Sequence, residues 1–261
     1  MSTIIEYYCQ SNIGKYRKIN QDNYLCGNNH LTADNRNVPS YVSGTVNSEA
    51  GLVLAVFDGM GGEECGETAS LIASEEALKT DLNQSEDTLV ILNELCMRAN
   101  KKICDFADAN NVNSTGTTAA ILGFTRKGVS LCNVGDSKIF RYANGTLKQI
   151  SVDHVGIPPM PNMKAPLSQN LGIPEDEMVI EPYFAKGEYT DGDMYLICSD
   201  GLTDMVEDFY IEDVLKRYPM NQAVNTLVDM ALENGGRDNI TIILCKIHKE
   251  KKSFLSDLFG D

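Results

Sequence analysis

The sequence predicts one α+β domain, a four-layer α-β-β-α sandwich of two antiparallel sheets flanked by helices. Three observations predict it. Several short runs are apolar on both faces, so the sheets they form must be covered on both sides. Turn signals join some of these runs into hairpins, which makes the pairing antiparallel. Three amphipathic stripes need a flat surface on which to bury. The 261 residues, 43% hydrophobic and 23% charged, suffice for a single core and have the make-up of an ordinary globular chain.

In chain order, GLVLAVF (51–57) reads as the first buried strand. After the glycine cluster at 59–62 a helix is expected, with Ala69, Ile72, Ala73 and Ala77 on its inner face. In TLVILNELCMRANKKICDFADAN, Leu92, Leu95, Cys96, Ala99, Ile103 and Phe106 lie on one face of a 3.6-residue period. TTAAILGF (117–124) and VSLCNV (129–134) read as strands around an Arg126-Lys127-Gly128 turn. IFRYA and TLKQI flank Asn144-Gly145, a hairpin signal. MYLICS (194–199) and ITIILCKI (240–247) complete the strands. Between them Val224, Leu227, Val228 and Ala231 mark a helix that Gly235-Gly236 stops. The polar stretch 25–50, rich in Asn and Ser, reads as a surface loop or ragged hairpin.

Composition excludes several classes. Twenty-two Lys and Arg against 37 Asp and Glu give a net charge of −15, which argues against binding the phosphate backbone of nucleic acid. No run approaches the roughly 18 apolar residues of a membrane span. MSTIIEYYCQ lacks the features of a secretory signal. The eight cysteines are scattered without a CxxC pair, and the three histidines (His30, His154 and His248) are far apart. Reduced thiols in a cytoplasmic chain are therefore expected, with no zinc site.

The aspartates are the informative feature. LVLAVF runs into Asp58, SLCNVG into Asp136 and MYLICS into Asp200; Asp238 lies just ahead of ITIILCKI, and Asp22 precedes Tyr24-Leu25. In an antiparallel stack the starts and ends of strands share a rim, so these carboxylates are expected to gather there. Crowded carboxylates raise one another's pKa, and a hard divalent cation relieves the conflict. Oxygen ligands select Mg²⁺ or Mn²⁺ over zinc or copper. The glycines of Asp58-Gly59-Met60-Gly61-Gly62 leave room for a bulky substrate and let a carbonyl turn toward a metal.

The chain resembles the metal-dependent protein serine/threonine phosphatases of the type 2C family, in their bacterial form. The motifs run in family order: GKYRKINQDNY (14–24), VFDGMGGEECGETAS (56–70), STGTTAAI (114–121), NVGDSKIFRY (133–142), LSQNLG (167–172), LICSDGLTDMV (196–206) and GGRDNITIIL (235–244). The resemblance implies the sandwich already read, and it implies roles. Asp58, the Gly59 carbonyl, Asp200 and Asp238 would hold a pair of Mn²⁺ or Mg²⁺ ions, with Asp58 as the bridge. Asp22 would hydrogen-bond metal-bound water. Arg17 would take the substrate phosphate, for which its planar fork is suited; the plainer alternative is a surface ion pair. A third, weaker ion would involve Asp136 with Asp200, near Asp204, with Asp153 as an alternative to Asp136. Asn20 and Asn239 either orient neighbouring groups or make turns.

Departures from the family pattern bear on specificity. Met60 stands where eukaryotic relatives carry a histidine, so the leaving-group proton comes from water or elsewhere. Glu63 stands where bacterial relatives often carry a histidine. The segment QISVDHVGIPPMPNMKAP, with Pro158, Pro159, Pro161 and Pro166, is short for the family's helical flap, and its prolines disfavour a helix.

The expected organisation is one phosphatase catalytic domain over residues 1–248 and a short tail over 249–261. In that tail Phe254, Leu255, Leu258 and Phe259 have helical spacing, as a frayed end or a docking helix. The expected activity is hydrolysis of phosphoserine and phosphothreonine esters by water or hydroxide held at a dinuclear centre, in a monomer acting on targets of a Ser/Thr kinase. The alternative is an inactive phosphoprotein-binding module on the same fold; a hydrolase of small phosphate esters lies chemically close to the first reading.

Overall fold

The computed structural model describes residues 3–32, 40–60, 65–160 and 163–249. Eleven strands form two sheets in which every pairing is antiparallel. They are β1 (Thr3–Asn12), β2 (Asp22–Leu25), β3 (Ser40–Asn47), β4 (Leu52–Asp58), β5 (Ala119–Thr125), β6 (Gly128–Val134), β7 (Lys138–Ala143), β8 (Thr146–Gln149), β9 (Tyr183–Gly187), β10 (Met194–Cys198) and β11 (Ile240–Lys249). The six-stranded sheet has the order β3-β1-β11-β10-β7-β8, and the five-stranded sheet β2-β4-β5-β6-β9. The helices are α1 (Gly66–Leu78), α2 (Thr88–Asn110), the single turn α3 (Asp200–Thr203), α4 (Asp208–Arg217) and α5 (Met220–Glu233).

Three apolar layers hold the sandwich together. Between the sheets, Ile5, Leu54, Val56, Leu122, Phe124, Ile197 and Ile243 form the central layer. Outside the five-stranded sheet, Ala69 and Ala73 of α1 and Leu92, Leu95 and Ile103 of α2 pack on Ala55, Phe57 and Ile121. Outside the six-stranded sheet, Ile211 of α4 and Val224, Leu227 and Val228 of α5 pack on Phe140, Leu196, Ile242 and Leu244. In β11, Ile243 faces the other sheet while Ile242 and Leu244 face the helices. That double burial is why its run carries no polar alternation. Asn144 and Gly145 take positive φ (54° and 80°) between β7 and β8, the type I′ geometry that suits a two-residue hairpin.

One expectation needs correction. Residues 40–47 are a strand, paired with β1 from Ile4↔Asn47 to Ser11↔Ser40; an edge strand with one wet side tolerates the polar composition that reads as a loop. The sequence reading also passed over β1, β9 and α4. In β1 buried and half-buried residues alternate strictly, the period of a strand with one face inward. Among the described residues no helix is long and apolar enough to cross a membrane, and all eight cysteines are free thiols. The GMGG glycines Gly61 and Gly62, Glu63, Pro161 and the tail beyond Lys249 lie outside the described residues.

Candidate metal centre

The strand directions bring the aspartates to one rim. β2 and β4 are antiparallel with Asp22 opposite Asp58 in register, so the start of one strand meets the end of the other. β6 runs alongside β4 with β5 between them, which puts Asp136, just past its end, at the same edge. In the other sheet β10 ends next to where β11 begins, so Asp200 and Asp238 are neighbours. Between the sheet edges lies a cleft of about 430 Å³ whose walls include Arg17, Asp58, Gly59, Asp136, Lys164, Asp200 and Asp238.

Close backbone approach shapes this rim. A Cβ on Gly59 would lie 2.3 Å from the Gly66 carbonyl oxygen, and one on Gly201 would lie 1.9 Å from that of Asn239. Neither position admits a side chain without moving the backbone that carries Asp58 or Asp200. The Asp58 backbone is clamped by Thr118, whose Oγ1 accepts from the Asp58 N–H at 3.0 Å while its own N–H donates to the Asp58 carbonyl at 2.9 Å.

Behind the cleft a hydroxyl network fixes Asp22, which is buried. Ser199 Oγ donates to Asp22 Oδ2 at 2.7 Å and accepts from the Thr241 N–H at 3.0 Å. Asn20 Oδ1 accepts from the Asp22 N–H at 3.2 Å, and its Nδ2 donates to Ser11 Oγ at 2.8 Å. Asn239 staples the loop that carries Arg17: its Oδ1 accepts from the Gln21 N–H, and its Nδ2 donates to the carbonyls of Ile13 and Ile19. Of the two roles open to Asn20 and Asn239, orienting the neighbouring segment matches these contacts. Arg17 Nη2 donates to Asp238 Oδ2 at 2.6 Å at the mouth of the cleft, with both side chains about one-third exposed (35% and 36%).

Electrostatically the rim carries too much negative charge for the cations present. Among the described residues, Asp22, Asp58, Asp136, Asp200, Asp204 and Asp238 gather here, and the cations in contact with them are Arg17 and Lys164. Burial pushes Asp22 up to about 6, against hydrogen bonds from Ser199 and Thr241, and Asp238 adds to the rise. Burial likewise lifts Asp58 well above the usual carboxylate range, reinforced by Asp22, Asp136 and Asp238. Asp136 is raised by burial, with Lys164 opposing. Asp22 Oδ1 is buried with no hydrogen-bond donor, an acceptor prepared for a partner that the chain itself does not supply.

These residues suit a hard divalent ion. The donors are oxygens, their charges are only partly compensated, and one buried oxygen lacks a partner. As they stand, no three His, Cys, Asp or Glu side chains among the described residues form a closed coordination group. Asp238 pairs with Arg17 and Asp200 with Lys164.

The candidates for the third position divide. Asp136 and Asp204 both reach Lys164 Nζ. Asp153 sits apart, paired with Lys138 Nζ and accepting from Gln149 Nε2 at 2.6 Å. Its neighbour His154 supports the turn instead: Nδ1 accepts from the Gly135 N–H at 3.2 Å, next to Asp136. Sequence reasoning missed Lys164, Thr118, Ser199 and Thr241. Lys164 is the single cation of QISVDHVGIPPMPNMKAP, the one local signal that singles it out.

Comparison with known proteins agrees with this geometry. A model of the protein phosphatase 2C family matches residues 26–244. The serine/threonine phosphatase stp of Listeria welshimeri is 31% identical over 212 residues, 74% of this chain and 83% of that protein. The serine/threonine protein phosphatase PstP of Mycobacterium tuberculosis is 28% identical over 206 residues, 75% of this chain and 40% of that protein. The crystal structure of the PstP catalytic domain in complex with two manganese ions superposes with a TM-score of 0.76 at 25% identity, covering 95% of this chain and 100% of that one. With its aspartates on one rim of a double antiparallel sheet and the match running almost the length of the sandwich, the chain belongs to the protein phosphatase 2C family.

Proposed function

We propose that this chain is a protein serine/threonine phosphatase dependent on two Mn²⁺ or Mg²⁺ ions held by Asp58, the Gly59 carbonyl, Asp200 and Asp238. The observation that carries the reading is the gathering of carboxylates in excess of the neighbouring cations around one cleft, with an arginine at its mouth. When bound, the ions supply a nucleophilic water at neutral pH and neutralise charge on the phosphoryl oxygens.

The chain's own residues supply position and proton control. Ser199 Oγ holds Asp22 Oδ2, which leaves Oδ1 to accept a hydrogen bond from the attacking water and orient it. Arg17 presents a planar fork at the cleft mouth, suited to two oxygens of a phosphate monoester. Its bond to Asp238 keeps that fork in place, and Asn239 fixes the loop beneath it. Met60 lines the cleft next to Gly59 and carries no proton to give, so the leaving serine or threonine oxygen takes its proton from water. Phosphoproteins made by a Ser/Thr kinase are the substrates, and the catalytic unit spans 1–248 as a cytoplasmic monomer with 249–261 as a tail.

Turnover of p-nitrophenyl phosphate and of phosphoserine, phosphothreonine and phosphotyrosine peptides, with Mn²⁺ and with EDTA, tests the proposal. The expected result is manganese-dependent release of phosphate from the serine and threonine peptides. Folded protein that releases none with any ion would instead be a phosphoprotein-binding module.

A further inference from the structure

Lys164 stands on a short segment that the sheets do not contain, and its ammonium reaches three carboxylates, two at the ends of α3 and one after β6. Nζ contacts Asp200 Oδ2 most closely, Asp204 Oδ2 at 3.1 Å and Asp136 Oδ2 at 3.5 Å. Those carboxylates follow β10, end α3 and follow β6. Asp136 is largely buried (7% exposed) and lines the same cleft as Asp58 and Asp238. The lysine lines the mouth of that cleft, with about half of its side chain (52%) still exposed.

The segment that delivers it has an anchored base. Val155 and Leu167 form an antiparallel bridge, the Gly156 N–H donates to the Pro166 carbonyl at 2.8 Å, and the Ser168 N–H donates to the His154 carbonyl at 2.9 Å. Lys164 lies three residues from that bridge, and Pro166 between them fixes one φ angle. The other acid of this neighbourhood, Asp153, is already neutralised by Lys138.

We infer that Lys164 is a tethered cation occupying the place of a third divalent ion between Asp136, Asp200 and Asp204, so that this chain binds two exchangeable ions and not three. An ammonium neutralises one unit of charge and offers three donors but no open coordination position. It offsets part of the charge of those three carboxylates from its place beside the Val155–Leu167 bridge. A third ion would have to expel the ammonium from the three acids it contacts. The inference rests on the two-ion reading above, and the ion count separates the two.

Calorimetric titration of the metal-free full-length chain with Mn²⁺, alongside Lys164→Gln, Lys164→Ala and Lys164→Arg, is the test, with the fold of each checked by circular dichroism. Saturation at two ions is expected for the native chain and for Lys164→Arg, and at three for Lys164→Gln and Lys164→Ala. A native chain that takes three ions with Lys164 present, or neutral variants that stay at two, would overturn the tether and leave the two-ion centre standing. A native chain that takes none would overturn both. Should the neutral variants not fold, the native count decides alone: two supports the tether and three refutes it.

Discussion

Two carboxylates in this molecule meet opposite surroundings. Glu76 on α1 is 3% exposed, yet Lys79 donates to it at 2.8 Å, Lys102 at 2.5 Å, and Arg98 lies 3.6 Å away. Burial alone would raise its pKa, but the hydrogen bonds from Lys102 and Lys79 prevail and hold it below the ordinary value. Asp58 faces Asp22, Asp136 and Asp238, with Lys164 the opposing cation, and is held well above the ordinary range. A structural acid is recognisable because its charge is answered within the fold. An acid whose charge is left unanswered, at a cleft and on a backbone that admits no slack, is arranged for something that arrives from solution.

The contrast is sharpened first at Asp58. Asp58→Asn should lower manganese-dependent phosphatase activity by more than about 100-fold, beyond what loss of an outer-shell partner causes. Steady-state rates with a phosphothreonine peptide check this. Next is Arg17→Ala, which removes charged hydrogen bonds worth about 1.5–3 kcal/mol. KM should rise roughly 10- to 100-fold with kcat much less affected, and Arg17→Lys should recover only part of the loss because it lacks the planar fork. An unchanged KM would remove Arg17 from phosphate recognition.

Glu76→Gln should act on stability and not on activity. It leaves three cations facing one another, but they are half-exposed (side chains 44–56%), so the cost is about 2 kcal/mol. Because the folded-state pKa lies below the unfolded one, the native Glu76 contribution is complete above pH about 4.3 and is lost as pH falls. Denaturant melts of both chains should therefore differ at pH 7, and the difference should shrink as pH falls below about 4.3. The smallest effect runs the other way. In EDTA, Asp58→Asn should melt slightly above the native chain, since it removes one of several mutually repelling buried charges, and added Mn²⁺ should reverse the order.

The layers and the rim were largely legible because both follow from where apolar runs stop. Once Asp58, Asp200 and Asp238 are seen at the ends of doubly buried strands, antiparallel pairing brings those ends together, and Asp22 follows through its register with Asp58. What escaped depends on contacts between distant segments. β3 is polar and becomes a strand because β1 offers it an edge, which no local pattern reports. The hydroxyls of Ser199 and Thr241 reveal nothing until the sheets bring Asp22 beside them. Lys164 was the hardest to foresee: a single flexible side chain on a proline-rich segment has no periodicity, and only the folded rim determines which acids it meets.

The most direct measurement is an anomalous difference map from crystals of the full-length chain soaked in Mn²⁺, recorded on both sides of the manganese edge. Two peaks between Asp58, Asp200 and Asp238, with Asp58 in contact with both, are expected. A cleft without a peak at saturating manganese, or ions bound elsewhere while these acids keep their present partners, would contradict it.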